Sequence, residues 1–190
     1  STLHRPDCDG FKVDNHDLQI DIDVQNTEAC PRYAGVSIKG VTVKESPDWL
    51  KNKLSTIGLH PINNIVDITN YILFAYGQPL HSFDADKIKG GKVVVKTMPE
   101  GTPFVTLDGV ERKLSERDLM ICNTQEPMCM GGVFGGLDLG ITDGTKNVFL
   151  ARAYFHPTWI RKSARRHGLS TDASFRFERG IDPNGVIYAL

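Results

Sequence analysis

The 190-residue chain lacks a long apolar run, closely spaced cysteines and an excess of charge of either sign. Because no stretch of about 18 apolar residues is present, we expect no membrane span. The 22 basic and 23 acidic side chains give a formal net charge of −1. Any binding to nucleic acid would therefore depend on a local basic patch rather than on the field of the whole molecule.

The cysteines are also informative because of how they are spaced. Cys8, Cys30, Cys122 and Cys129 contain no Cys-x-x-Cys pair, whereas structural zinc sites normally use such close pairing. We therefore expect no metal. The polar N-terminal stretch lacks the apolar core of a secretion signal, which favours reduced thiols and a cytoplasmic location.

Predicted strands and helices come in groups rather than in a regular alternation. We interpret residues 1–16 as a loose N-terminal segment and residues 17–190 as one domain. Strands are predicted over residues 18–24, 33–43, 92–97, 103–107, 110–114, 118–122, 128–134 and 147–154. Helices are predicted over residues 48–57, 65–76 and 157–167, each followed by a glycine. This grouping favours an α+β fold with mixed or antiparallel sheets and packed helices.

Residues near the predicted helix ends give further expectations. Ser46 is predicted to cap the first helix, with Pro47 at its first position. Ser174 is predicted to cap a helical segment over residues 175–179. The last residues have a helical pattern and the first residues approach a strand, so we expect the chain to be a fragment of a longer polypeptide.

His81 is the first candidate for chemistry. It follows a Gly-Gln-Pro-Leu turn at the end of an apolar helix. An imidazole there could orient a water molecule near an ester at neutral pH, or it could simply bond to the backbone of the turn. Asp84 and Asp86 follow closely, but two acids on a loop are weak evidence for a metal site.

Two other stretches each have a functional and a structural interpretation. Asp67, Thr69 and Asn70 interrupt an apolar helix, and such polar groups need partners if they are buried. They either brace the fold or present donors to a ligand. Residues 131–136 are rich in glycine but lack the phosphate-binding patterns GK[ST] and GxGxxG. These glycines either let the backbone approach a ligand or mark a tight packing point.

The last stretch is basic and contains Arg161, Lys162, Arg165 and Arg166 on a predicted helix. Such a helix could be a solvated face or could contact phosphates. Few aromatic residues interleave, so base stacking is not indicated. The small residues that follow, 170–174, could leave room for a side chain to enter.

Four stretches, in order along the chain, resemble the B3/B4 region of bacterial phenylalanyl-tRNA synthetase β subunits. They read CPRYAGVSIKGV, GLHPINNIVDITNYILFAYGQPLHSFD, GGVFGG and ARRHGLSTDASFRFERGIDP. The resemblance runs from about Cys30 to the C-terminus. It implies an editing domain that hydrolyses tyrosine wrongly esterified to tRNA(Phe). Hydrophobic pockets reject an added hydroxyl by only about a hundredfold, which is why a second site is useful.

The resemblance also implies partners and cofactors. The expected partners are the α subunit and the rest of the β subunit, in an (αβ)2 assembly, together with tRNA(Phe). ATP and Mg are expected only for the full synthetase, and no cofactor is expected in this domain. No covalent nucleophile is implied, because Ser174 and the cysteines lack an adjacent base.

Residue roles follow from the same resemblance. His81 matches the family histidine that is associated with positioning the hydrolytic water. The residues that match the lining of the family pocket are Thr69, Asn70, Pro79, Gly135, Thr171 and Ala173. The residues implied to frame the pocket or to face the tRNA are Arg161, Arg165 and Arg166.

One position departs from the family pattern. Ala151 stands where the family has a glutamate that is implicated in recognising the tyrosine hydroxyl, and Arg152 follows it. Three options remain open: a weaker preference for tyrosine, another acceptor, or an altered chain. The alternative functions are an editing-impaired structural and tRNA-binding module of the same synthetase, or an unrelated nucleic-acid-binding protein that uses the basic helix.

Overall fold

The computed structural model describes residues 7–190. The helices are α1 (Asp48–Thr56), α2 (Asn64–Tyr76), α3 (Pro157–His167), α4 (Asp172–Phe177) and α5 (Gly185–Ala189). The strands are β1 (Asp21–Val24), β2 (Arg32–Ile38), β3 (His81–Asp84), β4 (Lys92–Thr97), β5 (Pro103–Val105), β6 (Glu111–Lys113), β7 (Leu119–Cys122), β8 (Pro127–Met130), β9 (Phe134–Gly135) and β10 (Val148–Tyr154). Of the predicted loose segment, residues 1–6 lie outside the described residues, and residues 7–16 are exposed and outside any helix or strand.

Two sheets form the frame of the molecule. The larger has the order β1-β4-β7-β8-β9, in which β1 runs parallel to β4 and the other neighbours are antiparallel. The smaller has the order β2-β10-β3 and is antiparallel throughout. A separate hairpin joins β5 to β6. The α+β class, with mixed and antiparallel sheets, is confirmed.

A single apolar core connects the two sheets. Val93 and Met120 of the larger sheet and Phe83 and Phe149 of the smaller one belong to the same buried cluster. These side chains are at most 2% exposed. Removing each of them from water contributes about 1.5–3 kcal/mol, so this shared core holds the facing surfaces of the two sheets in place.

Several predicted strands are shorter than expected, and two of them are interrupted near a glycine of positive φ. The strand predicted over residues 33–43 ends at Ile38, ahead of Gly40, which has a positive φ of 69°. The strand predicted over residues 128–134 is divided into β8 and β9 by a turn at Gly132, where φ is 68°. A Cβ at Gly132 would lie 2.9 Å from Phe155, so both the turn and the packing favour glycine there.

Both serine caps were predicted wrongly. Pro47 occupies the position before α1 and provides no side-chain cap. Ser46 instead donates a buried hydrogen bond of 2.5 Å to Asp67. At α4, Thr171 is the cap and Ser174 is its reciprocal partner in a capping box. A residue three positions into a helix can return a bond to the cap, and spacing alone does not separate the two roles.

The predicted helix ends at glycine are confirmed for α2 and α3. Gly77 and Gly168 adopt left-handed conformations, with φ of 65° and 62°. Asn63 caps the start of α2 by accepting from the backbone N–H groups of Ile65 and Val66. The sharp stop at Gly77 turns the chain into β3, which brings residues 78–81 back beside the helix.

Candidate functional site

A cavity of about 310 Å³ is lined by residues of both sheets, α2, α4 and the glycine-rich turn. Its wall includes buried apolar side chains from both sheets: Phe83, Ile121, Met130, Ala153 and Phe155. The wall also includes the exposed Asp172 and His81. The cavity therefore combines an apolar interior with a polar opening, as in many small-molecule sites.

Eight residues that the sequence assigned to a pocket line this one cavity. They are Thr69, Asn70, Pro79, His81, Gly135, Ala151, Thr171 and Ala173. They come from α2, the turn before β3, β9, β10 and the start of α4. The structure thus brings together residues that are far apart in the chain, while their individual roles stay predictions.

The polar residues of α2 have two different roles, because Asp67 supports the fold whereas Thr69 and Asn70 line the cavity. Asp67 is fully buried and accepts from Ser46 and from the backbone N–H of Ile62, at 2.5 and 2.9 Å. It therefore ties the loop before α2 to the helix. Thr69 and Asn70 lie on the cavity side, where the Thr69 hydroxyl donates to its own helix at 2.7 Å.

His81 opens β3 directly opposite Ala151 of β10. Its ring centroid lies 4.3 Å from that of Phe83, and a Cβ at Gly135 would be 3.7 Å from its Cε1. Water reaches the ring at the cavity mouth, yet desolvation by the surrounding protein lowers the pKa of His81 to about 4. The imidazole is therefore neutral at pH 7 and can accept a proton.

Thr171 joins α4 to the glycine-rich turn. Its hydroxyl donates to the carbonyl of Val133 at 2.9 Å and accepts from the backbone N–H of Ser174 at 3.0 Å. Ser174 in turn accepts from the backbone N–H of Thr171. These bonds fix the wall formed by the turn and Ala173, and they occupy the Thr171 and Ser174 hydroxyls.

Ala151 is 2% exposed and brings only a methyl group to the cavity wall beside His81. Arg152 is equally buried, and its Nη2 makes a close hydrogen bond to Gln78. Its Nε and Nη1 atoms are enclosed and have no partner within residues 7–190. Arg152 is also one of the cavity-lining residues, but successive side chains of a strand point to opposite faces, so its side chain leaves β10 on the face opposite that of Ala151.

Burial also disturbs the protonation of Arg152 and of Cys129. Desolvation lowers the pKa of Arg152 to about 10, so the guanidinium is still charged at pH 7. Cys129 lines the cavity, and burial raises the pKa of its thiol to about 12. A protonated thiol is a poor nucleophile, so Cys129 acts here as a small apolar wall residue.

The basic residues of α3 lie outside the cavity lining. Arg161 and Arg165 are exposed. Arg166 instead forms an ion pair with Asp118, which is fully buried. Arg161 and Arg165 are therefore the better placed of the three to meet a phosphate.

Sequence reasoning missed several residues of the cavity wall. They are Tyr33, Leu73, Leu80, Phe83, Ile121, Cys129, Met130, Val133, Phe134 and Phe177. Alternation in β2 places Tyr33 and Gly35 on one face of the strand. It does not indicate which face meets the second sheet, because that depends on packing between distant parts of the chain.

No cluster of three His, Cys, Asp or Glu side chains that could hold a metal occurs in residues 7–190. Asp84 accepts from Thr145 at 2.7 Å, and Asp86 accepts from Asn147 at 2.9 Å. Both acids therefore have local structural partners. In the same part of the chain, every helix is too short or too polar to cross a membrane.

Comparison with known proteins gives a family for this fold and site. The model of the B3/4 domain matches residues 29–190. The chain belongs to the B3/4 domain family. Over 190 residues it is 74% identical to the phenylalanine–tRNA ligase beta subunit of Bacteroides thetaiotaomicron. This match covers all of this chain and 23% of that protein. It is 59% identical over 175 residues to the Porphyromonas gingivalis counterpart, covering 92% of this chain and 21% of that protein.

A solved structure has the same fold. It is an N-terminal fragment of the phenylalanyl-tRNA synthetase β subunit from Pyrococcus horikoshii, with a TM-score of 0.54 and 14% identity. The match covers 83% of this chain and 51% of that fragment. The chain thus spans under a quarter of the length of its curated bacterial relatives, at 23% and 21%.

Proposed function

We propose that this chain is the editing module of a phenylalanine–tRNA ligase β subunit and that it hydrolyses Tyr-tRNA(Phe). One observation carries this function. The seven residues that match the family pocket, which lie far apart in the sequence, line a single cavity together with Ala151. That cavity has an apolar interior for an aromatic ring and a neutral histidine near its mouth.

The chemistry is attack by water on the ester. The water oxygen bonds to the carbonyl carbon of the tyrosyl group, and its proton passes to neutral His81. The bond to the ribose oxygen of the terminal nucleotide then breaks, and that oxygen takes up the proton. General base assistance contributes typically about 10²–10⁴-fold, and a pKa of about 4 places His81, as a weak base at pH 7, at the lower end of that range. Ser174 is not a nucleophile here, because its hydroxyl donates to the Thr171 carbonyl at 3.1 Å.

Ala173 and Gly135 give the substrate space in the cavity. Ala173 contributes only a methyl group, and Gly135 lets the backbone approach the imidazole closely. Arg161 and Arg165 are exposed cations for the tRNA backbone. The proposal includes an (αβ)2 assembly with the α subunit, binding of tRNA(Phe), a cytoplasmic location, and no cofactor in this domain.

The test is deacylation of Tyr-tRNA(Phe) by the full-length β subunit assembled with its α partner. His81→Ala should slow deacylation by about a hundredfold or more, since the water loses its base. His16→Ala is the matched control, because His16 is exposed and lies outside the helices and strands. A His81→Ala variant that deacylates as fast as the parent would show that the hydrolytic site lies elsewhere.

A second candidate is an editing-impaired structural and tRNA-binding module. It is favoured by one observation: Ala151 brings no carboxylate to the wall where the family has a glutamate. Slow deacylation by the parent, together with rescue in Ala151→Glu, would favour this candidate. Fast deacylation by the parent would exclude it.

A further inference from the structure

The cavity retains a polar group on the face that lacks the glutamate. We infer that the Tyr33 hydroxyl recognises the substrate hydroxyl and makes Tyr33 the specificity-determining residue of this site. This inference rests on the proposed function, because it names how the cavity selects a tyrosyl over a phenylalanyl group. It assigns that selection to β2 rather than to β10.

The register of the smaller sheet places Tyr33 close to the altered position. Tyr33 lies opposite Ala153, and Gly35 lies opposite Ala151. Residues opposite one another in an antiparallel pair, and those two positions along, share one face of the sheet. Tyr33 is therefore the diagonal neighbour of Ala151, at a distance that an aromatic side chain can span.

The Tyr33 hydroxyl is available to a ligand. Within residues 7–190, no group is placed to form a hydrogen bond with this hydroxyl. The oxygen is also not fully enclosed by the protein. Tyr33 lines the cavity, so its side chain borders the space that a ligand would fill. A buried phenol normally has a hydrogen-bond partner, and a ligand hydroxyl would supply one.

The protonation of Tyr33 suits this role. Burial, with a further contribution from the nearby thiols of Cys129 and Cys30, raises the pKa of Tyr33 well above its ordinary value. The phenol is therefore neutral at pH 7, and it can both donate and accept a hydrogen bond. Both thiols are at most 5% exposed, so the surroundings of Tyr33 on this side are apolar.

Most other polar groups of the wall are occupied, enclosed or at the rim. The hydroxyl of Thr69 donates to its own helix, and that of Thr171 donates to Val133. The unpartnered nitrogens of Arg152 are enclosed. Asp172 is exposed at the rim, and His81 faces the mouth. Asn70 also lines the cavity, but from α2. Tyr33 is therefore the polar side chain on the sheet face of Ala151 that is placed to meet a substrate hydroxyl.

The first test compares two esters in the full-length β subunit assembled with its α partner. Tyr33→Phe keeps the ring and removes only the oxygen. It should slow deacylation of Tyr-tRNA(Phe) by roughly 10–100-fold, because the substrate hydroxyl is left unpaired in an apolar site. Deacylation of Phe-tRNA(Phe) should not fall. If the ratio of the two rates were unchanged, whether both rates stayed the same or fell equally, the inference would be overturned.

Tyr71→Phe is the matched control. Tyr71 lies on α2 beside Trp49, with ring centroids 5.6 Å apart, and is not part of the cavity lining. It should leave the ratio of the two rates unchanged. Thermal unfolding of both variants confirms that each is folded, and the ratio between esters cancels any loss of active protein.

Binding of non-hydrolysable analogues separates recognition from hydrolysis. The probes are adenosines that carry tyrosine or phenylalanine in amide linkage to the ribose. The wild type should bind the tyrosyl probe more tightly than the phenylalanyl probe. Tyr33→Phe should lower the ratio of these two affinities by roughly tenfold. This result would support the inference even if the wild type hydrolysed neither ester, in which case only the proposed function would fail. A wild type without the preference, or a variant that keeps it, would overturn the inference.

Discussion

Two buried charges, Asp118 below α3 and Arg152 on β10, differ in how completely they are paired. Asp118 accepts from Ser163 and His167 at 2.6 Å, from the backbone N–H of Ser115 at 2.8 Å, and from Arg166. Arg152 is hydrogen-bonded to Gln78 and lies in the field of Asp182, while two of its nitrogens have no hydrogen-bond partner in the described chain. Burying a charge without partners is costly, so we infer that the first charge strengthens the fold and the second weakens it.

The location of each charge gives the difference a meaning. Asp118 joins β7 to α3 and is not part of the cavity lining. Arg152 follows Ala151 on β10, and both residues belong to the cavity lining. The carboxylate of Asp118 has a complete set of hydrogen bonds, whereas the guanidinium of Arg152, on the strand beside the candidate site, does not. Proteins commonly tolerate such local instability near functional sites.

The largest expected effect is from breaking the complete network. Asp118→Ala would leave Arg166, His167 and Ser163 without their shared acceptor. We expect a loss of about 3 kcal/mol in the free energy of unfolding. Urea denaturation would measure it, with the exposed Asp17→Ala as control. A loss below about 0.5 kcal/mol would mean that the network adds little stability.

The same network predicts a dependence on pH. Burial by itself would raise the pKa of Asp118, but hydrogen bonds from His167, Ser163 and Ser115 outweigh it and hold the pKa below 3.8. The folded state therefore favours the carboxylate, so its stabilisation is present above pH 3.8 and is lost as the pH falls through the lower folded value. Asp118→Asn should flatten the stability curve below about pH 4. A curve of unchanged slope would contradict this.

The next effect has the opposite sign. Arg152→Met should raise the free energy of unfolding by about 1–3 kcal/mol, because it removes two buried unpaired donors and keeps an apolar stem. Arg165→Met is the control, since Arg165 is exposed. A destabilised Arg152→Met would show that the guanidinium has stabilising interactions that outweigh its burial, and the contrast between the two charges would fail.

A smaller effect is expected at the start of α4. Thr171→Ala should lower stability by about 1 kcal/mol through loss of the cap. It also removes the bond to Val133, so deacylation should fall by more than the change in stability explains. Measuring both quantities on one preparation separates the cap from the wall. A fall in deacylation no larger than the loss of stability explains would indicate that Thr171 acts as a helix cap alone.

The smallest effect on stability is expected for the exposed cations. Arg161→Gln with Arg165→Gln should change the free energy of unfolding by less than about 0.5 kcal/mol. If both cations contact phosphates, the slope of log affinity for tRNA against log salt should fall by about 2. Filter binding over a salt series would measure it. An unchanged slope would remove these residues from the proposed interface.

Sequence reasoning succeeded where the determinants are local. Gly77 and Gly168 end their helices because a left-handed residue stops a helix at little cost. Resemblance to a family supplied eight of the cavity residues, whose positions are set by contacts across the whole fold. Neither approach found the partner of Ser46, the turn at Gly132 or the open hydroxyl of Tyr33. Each of these depends on which side chain from a distant segment packs against it.

The most direct test of the central claim is to fill the cavity. Ala173→Phe in the full-length assembly places a ring in the space proposed for the tyrosyl group, on a short helix at the surface of the fold. We predict that deacylation of Tyr-tRNA(Phe) falls by at least about a hundredfold, while aminoacylation with phenylalanine is unchanged. Deacylation at the parental rate would contradict the claim that this cavity is the hydrolytic site.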